Sequence, residues 1–157
     1  MTSLSLVLVH HPVLDKNGQI VTSALTNMDI HDIARSSRTY GVERFYVATP
    51  ITALQRLAKT IMAHWETGYG STYNTTRSDA LRLVRIEPSL DSAIVNLEQE
   101  TGQRPRVVVT SARGGPRRES FATLRQQLVE RTDPHLIVLG TGWGLAPEII
   151  DHACLLY

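Results

Sequence analysis

Three stretches of the sequence carry residue types whose spacing suits chemistry. The first is GTGWG at 140–144, with three glycines in five residues directly after the apolar run Leu136, Ile137, Val138 and Leu139. Glycines let a backbone come close to a ligand, so amides in such a loop can donate to its polar atoms. Trp143 adds a flat apolar surface, and a large aromatic inside a glycine loop is costly unless it packs on something, a flat ligand included. The spacing is neither G-x-G-x-x-G nor G-x-x-x-x-G-K-[ST], and both absences count against dinucleotide and P-loop sites. Periodicity alone leaves a plainer alternative open: a tight turn entering a helix, with a core tryptophan.

The second stretch is TSARGGP at 110–116. Around it Arg104, Arg106, Arg113, Arg117 and Arg118 fall within fifteen residues that include no acidic residue. Five guanidiniums beside a glycine-proline turn predict a mobile basic rim suited to phosphate oxygens, with Arg113, Arg117 and Arg118 at the turn itself. Arginine outnumbers lysine fourteen to two over the chain, so compositional bias contributes, and a solvated loop is the alternative. The third stretch is NMDIHDIARSSRTYG at 27–41. On a helix capped by Asn27, positions 28, 31, 32, 35 and 38 share a polar stripe, so that His31, Asp32, Arg35 and Arg38 face one cleft. The bland alternative is an Asp32–Arg35 surface ion pair at i, i+3. His10 and His11 are adjacent on a predicted strand and so point to opposite faces, which argues against a shared metal ion.

The elements that must position these residues alternate regularly. Short β-rich runs are predicted at 4–9, 44–48, 82–86, 106–110, 135–139 and 153–157, with helical spacing at 28–40, 51–67, 89–101, 120–131 and 146–152. Ser89 and Ser120 read as helix N-caps and Gly102 as a C-terminal stop. Runs such as Val107, Val108 and Val109 are apolar on both faces, as in parallel strands covered from both sides. An open parallel α/β sheet follows, with ligands expected at the carboxyl ends of its strands. Residues 12–22 read as a loop or small hairpin excursion turning at Asp15, Lys16, Asn17 and Gly18. Residues 68–79 (GYGSTYNTTRSD) read as a long mobile polar loop.

At 157 residues, 42% hydrophobic and 20% charged, the chain predicts one globular domain over 1–157 and excludes a disordered or fibrous architecture. A formal charge of +1 announces no bulk attraction to nucleic acid or membrane. The lone Cys154 excludes an intramolecular disulfide and a multi-cysteine zinc site, and fits a reducing cytoplasm. The apolar runs fall well short of the ~18 residues a membrane span needs, and the first residues lack a basic secretory leader. No membrane partner is expected.

Four segments together resemble the SPOUT class of S-adenosylmethionine-dependent RNA methyltransferases: LVHHPV at 8–13, TNMDIHDIAR at 26–35 with YGV at 40–42, VTSAR at 109–113, and LGTGWGLAPE at 139–148. More narrowly the chain is similar to a bacterial subfamily found beside, or fused to, tRNA guanine-N1 methyltransferases. The resemblance covers essentially the whole chain, and GTGWGLAPE is its most specific part. It implies an α/β trefoil knot with S-adenosylmethionine bent inside it. Thr110, Ser111 and Ala112 would line the cofactor, together with Leu139, Gly140, Thr141, Gly142, Trp143, Gly144 and Leu145.

The stretch 27–35 is similar to the first motif of the ribose 2′-O-methylating branch, which puts Arg35 beside the acceptor with Asn27 and Asp32 as further catalytic candidates. Arginine stays protonated, so Arg35 would position the acceptor and balance charge, while Asp29, Asp32 and His31 remain alternative proton acceptors. The substrate would be tRNA or rRNA, no metal would be needed, and a homodimer would share its sites through the knot. A third cofactor-lining segment and a final helix are expected beyond Tyr157, so the site is expected to be incomplete in this sequence. Two other readings compete: a non-catalytic RNA-binding or dimerisation module of the same fold, and another nucleotide-binding α/β enzyme using NAD or transferring phosphate.

Overall fold

The computed structural model describes residues 2–114, 116–151 and 153, and the backbone of 155 and 156. Gly115 of the arginine loop, Cys154, and Tyr157 at the end of the predicted last strand lie outside the described residues.

The predicted alternation is present. β1 (Leu4–Val9) leads through a two-stranded excursion, β2 (Val13–Leu14) and β3 (Ile20–Val21), into α1 (Asn27–Thr39) and β4 (Arg44–Ala48). Then come α2 (Thr52–Glu66), α3 (Tyr69–Tyr73), α4 (Thr75–Leu81), β5 (Val84–Glu87), α5 (Leu90–Thr101) and β6 (Arg106–Val109). The remainder is α6 (Phe121–Glu130), β7 (His135–Gly140), α7 (Pro147–Asp151) and β8 (Leu155–Leu156). The main sheet runs β5-β4-β1-β7-β6-β8, and every pairing in it is parallel. β1 sits in the middle, so its two ladders join residues far apart in sequence, with Leu4 opposite His135 and Val9 opposite both Ala48 and Gly140.

Alternation along the central strands sends side chains into two cores. Val7, Val9, Tyr46 and Ala48 pack with Ala93, Ile94 and Leu97 of α5 and Ile149 of α7. Leu8, Phe45 and Val47 pack with Ile30 and Ala34 of α1, Ala58 of α2 and Leu81 of α4. Burial on both faces is why these strands read as continuous apolar runs. Ser89 and Ser120 cap α5 and α6 through their side chains, and Gly102 ends α5 at φ 76°, as predicted. The excursion is an antiparallel pair whose turn is held by the Asp15 carboxylate, which accepts from the amides of Asn17 (2.8 Å) and Gln19 (2.9 Å).

Two expectations are corrected. The cap of α1 is Thr26, not Asn27: the Thr26 hydroxyl accepts from Asp29 N (3.1 Å) and the Asp29 carboxylate accepts from Thr26 N (3.3 Å), a reciprocal capping box that places Asn27 inside the first turn. Residues 68–79 are not a long loop but carry α3 and α4. The Asn74 side chain caps α4 by accepting from Arg77 N (3.0 Å), Ser78 donates to the Trp65 carbonyl (2.6 Å), and Gly70 is packed on the Trp65 ring. Polar residues are helical here because a tertiary anchor, Trp65, holds them.

Thr26→Ala should cost about 1 kcal/mol of stability through loss of the cap, whereas Asn27→Ala should change it by under about 0.5 kcal/mol, read from urea denaturation midpoints. A larger loss for Asn27→Ala would return the cap to Asn27.

Candidate functional site

Where β6 and β7 end, the chain leaves the sheet in two loops, 110–113 and 140–145, and the space between them is a cleft of about 540 Å³. Arg118 and Phe121, the first residue of α6, complete its wall. This is the carboxyl edge of a parallel sheet, where open α/β folds bind ligands, and the volume suits a nucleoside-sized molecule.

The glycine loop has its shape because it is sewn to the segment after β1. Trp143 N donates to the Leu14 carbonyl (2.9 Å), Leu14 N to the Gly144 carbonyl (2.9 Å) and Ala146 N to the Pro12 carbonyl (3.1 Å). Such close contact admits no side chain at two points. A Cβ on Gly140 would stand 2.9 Å from the Leu145 side chain, and one on Gly142 would stand 2.9 Å from the Leu14 carbonyl oxygen. Gly142 and Gly144 also take positive φ, at 59° and 111°. The amides of Gly142 and Leu145, both residues of the cleft lining, donate to nothing among the described residues. Trp143 is 65% exposed, so its indole forms an open wall of the cleft and is not a core side chain.

Beneath the loop runs a polar chain that the sequence did not announce. The Thr141 hydroxyl lies within donating distance of the Val9 carbonyl (3.0 Å) and shares a hydrogen bond with the Ser23 hydroxyl, which in turn shares one with His10 Nδ1 (2.8 Å). His10 is fully buried, and its Nε2 meets no partner among the described residues. Burial holds the pKa of the ring below the usual 6.5 against the opposing pull of Asp29, which favours the neutral imidazole. No motif marks this chain; only the register of β1 against β7 brings His10 and Thr141 together.

The sequence-predicted residues fall into three groups. Thr110, Ser111, Ala112, Gly140, Thr141, Gly142, Trp143, Gly144 and Leu145 all line the cleft, as do Arg113 and Arg118. Leu139 does not: it is turned to the core beneath α1 and α2. Phe121 was missed, since nothing in its sequence context distinguishes it from an ordinary helix start.

The arginines do not form one rim. Arg104 and Arg106 sit at the amino end of β6, a strand's length from Arg113, and Arg104 pairs with Glu98 (3.5 Å). Arg118 donates to the carbonyls of Ser111 and Arg113, and Arg113 to that of Trp143 (3.4 Å), so these two fasten one cleft loop to itself and to the other. Arg117 turns to α7, pairing with Asp151 (3.8 Å) and donating to the Ile150 carbonyl (3.1 Å).

The α1 candidates stand apart from the cleft. Asn27, Asp32 and Arg35 are exposed, and none of them lines it. Asp32 and Arg35 make no ion pair with each other among the described residues; they border a shallow groove with Thr39 and Tyr40. His31 leaves the predicted polar stripe, being 8% exposed and packed edge-on against Trp65, because α1 lies on α2 and α4 at that point.

Comparison with known proteins gives these loops a family. A profile described as SAM-dependent RNA methyltransferase matches residues 3–156. Two proteins named tRNA (guanine-N(1)-)-methyltransferase, from Oleidesulfovibrio alaskensis and Nitratidesulfovibrio vulgaris, are each 44% identical over 149 residues, covering 95% of this chain and 34% of theirs. A protein of Aquifex aeolicus, named only as uncharacterized, is 36% identical over 146 residues, covering 93% of this chain and 71% of its own. The chain belongs to the S-adenosylmethionine-dependent RNA methyltransferase family. It spans about a third of the length of the two relatives that carry an enzyme name.

Gly142→Ala should lower stability by about 1–2 kcal/mol, through positive φ and the approach to the Leu14 carbonyl, and should weaken S-adenosylmethionine binding by about tenfold or more. Thermal melting and calorimetric titration measure the two effects, and unchanged affinity would remove the loop from the site. Burial also lowers the pKa values of His10, His31 and His135 below 6.5. The unfolded chain then takes up protons at higher pH than the folded one, so stability is full above about pH 6.5 and falls as the pH drops below it. Denaturation midpoints between pH 7.5 and 5 should show that decline, and His10→Asn should make it shallower.

Proposed function

We propose that the chain is a single SPOUT-type domain, of α/β-knot topology, that binds S-adenosylmethionine in the cleft between 110–113 and 140–145 and transfers its methyl group to a tRNA or rRNA nucleotide in the cytoplasm. The observation that carries this reading is the glycine loop: two glycines whose Cβ atoms would collide, two free amides and an exposed indole converge at the carboxyl edge of a parallel sheet. Those features fit the cofactor. Trp143 and Leu145 offer apolar surface to a flat base, the Gly142 and Leu145 amides offer donors to its polar edge, and Arg113 and Arg118 bring positive charge suited to a carboxylate. Bound there, S-adenosylmethionine supplies a methyl group already activated by a cationic sulfur.

This chain's residues then have to orient the acceptor and remove its proton. Arg35 holds the acceptor oxygen or nitrogen and balances its charge, Asn27 and Asp32 assist it, and the proton goes to one of three alternative acceptors on the same helix, Asp29, Asp32 or His31. Within one chain these groups are absent from the cleft wall, which favours a homodimer in which α1 of one copy faces the cleft of the other. Arg113 and Arg118 at the cleft, and Arg117 beside α7, would meet the RNA backbone. Methylation of guanine N1 is not carried over, because the relatives so named have about two-thirds of their length outside the match.

Calorimetric titration should show binding of S-adenosylmethionine and S-adenosylhomocysteine and none of NAD or ATP. Tight NAD or ATP binding would instead support a different nucleotide enzyme, and no binding of any of them a non-catalytic module. Arg35→Ala should lower methyl transfer to bulk tRNA or rRNA by about tenfold or more with cofactor affinity unchanged. Full activity would discard the role given to Arg35.

A further inference from the structure

A second cleft, of about 380 Å³, lies among α1, α2 and α4 and shares no residue with the glycine-loop cleft. Its hub is Trp65. Gly70 lies against the indole so closely that a Cβ there would stand 2.6 Å from the ring, and the Arg77 guanidinium sits 5.4 Å from the ring centroid. His31 and His64 each meet the ring edge-on at 5.4 Å. One tryptophan thus holds three nitrogen-bearing side chains around one opening.

Two of those side chains are unsatisfied. His31, which lines the opening, is 8% exposed, and its Nδ1 is buried without a partner among the described residues. Arg77 Nε is likewise buried and unpartnered, and no described carboxylate pairs with its guanidinium. Native structures rarely leave buried polar atoms orphaned, and two at one opening mark a place for a ligand's atoms. Arginine only donates, so the ligand must present acceptors. The first turn of α1 borders the same opening through Asn27 and adds the positive end of a thirteen-residue helix. Asp32 stands on the rim, where its carboxylate repels a free anion but accepts from a hydroxyl. An oxyanion joined to a hydroxyl-bearing group satisfies all of these, and a ribonucleotide is such a group. α3, which links α2 to α4, adds Tyr69 and Tyr73, exposed and stacked at 5.7 Å, surfaces of the kind on which unpaired bases lie.

We infer that this cleft binds a ribonucleotide of the RNA strand, its phosphate on Arg77 and His31 and its 2′-hydroxyl on Asp32. The inference rests on the reading of the chain as an RNA methyltransferase. It adds a contact site for single-stranded RNA that shares Asn27 and Asp32 with the acceptor-holding face of α1 and lies outside the cofactor cleft of the same chain.

The test titrates the isotopically labelled chain with a uridine RNA octamer, the matching deoxyuridine octamer and inorganic phosphate, following the Arg77 Nε–H and His31 ring signals by NMR. S-adenosylmethionine affinity is measured in parallel. The RNA octamer should move both signals and bind more tightly than the DNA octamer, with inorganic phosphate weakest. Arg77→Gln should weaken the octamer about tenfold and reduce the slope of log affinity against log salt by about 0.7, leaving cofactor affinity unchanged. If Arg77→Gln fails to fold, Arg77→Lys keeps the charge and should retain most of the slope, and Asp32→Asn should erase the preference for RNA. Unmoved Arg77 and His31 signals at octamer saturation, equal binding of RNA and DNA, or no octamer binding would overturn the inference. Loss of the methyltransferase reading would appear separately, as a chain that does not bind S-adenosylmethionine.

Discussion

The site depends on one contact: the backbone seam between 12–14 and 143–146. Three amide-to-carbonyl bonds and the approach of Gly142 to Leu14 fix the course of the glycine loop. Neither partner in the seam is regular secondary structure of the main sheet. Each is placed by the strand it leaves, β1 or β7, and those strands are neighbours in register from Leu4–His135 to Val9–Gly140. The small β2–β3 excursion, which looks incidental, is thus the floor on which the cleft loop is laid. A shift of one residue between β1 and β7 would move every donor in the loop and turn core side chains outward.

Much of this frame is legible in the sequence because it depends on local periodicity. Doubly apolar runs mark buried parallel strands, Ser89, Ser120 and Gly102 mark helix ends, and the rule that ligands gather after strands picks out 110–113 and 140–145. What stays hidden is decided by contacts across the fold. Arg113 and Arg118 read as part of a phosphate-binding rim, with a solvated loop as the alternative, yet a guanidinium beside a tight loop finds backbone carbonyls first. His31 reads as part of a polar stripe, but α2 and α4 cover that side of α1 and bring Trp65 against it. The helices α3 and α4 are too short and polar for periodicity to reveal. The Thr26 cap was visible: Thr26 followed by Asp29 is the spacing of a capping box, and Asn27 merely competes with it by residue type.

The segment 22–26 ties the two clefts together. Ser23 bonds to both His10 and Thr141 at the base of the glycine loop, and three residues later Thr26 caps the helix whose first turn borders the Trp65 cleft. Little slack separates the two anchors.

The strand order also sets when each part can exist as the chain emerges during synthesis. β1, β4 and β5 are neighbours in space and come early, so the layer of α1, α2 and α4 can collapse on them while the last third is still being made. β7 must then enter beside β1, closing a ladder across some 130 residues, before the seam has a second edge. Non-local pairing of this kind is the slow part of folding. All the strands and helices around Trp65 precede β7 in the chain, whereas the glycine loop takes its course only once β7 lies beside β1. A nascent or half-folded chain holds no cleft between 110–113 and 140–145.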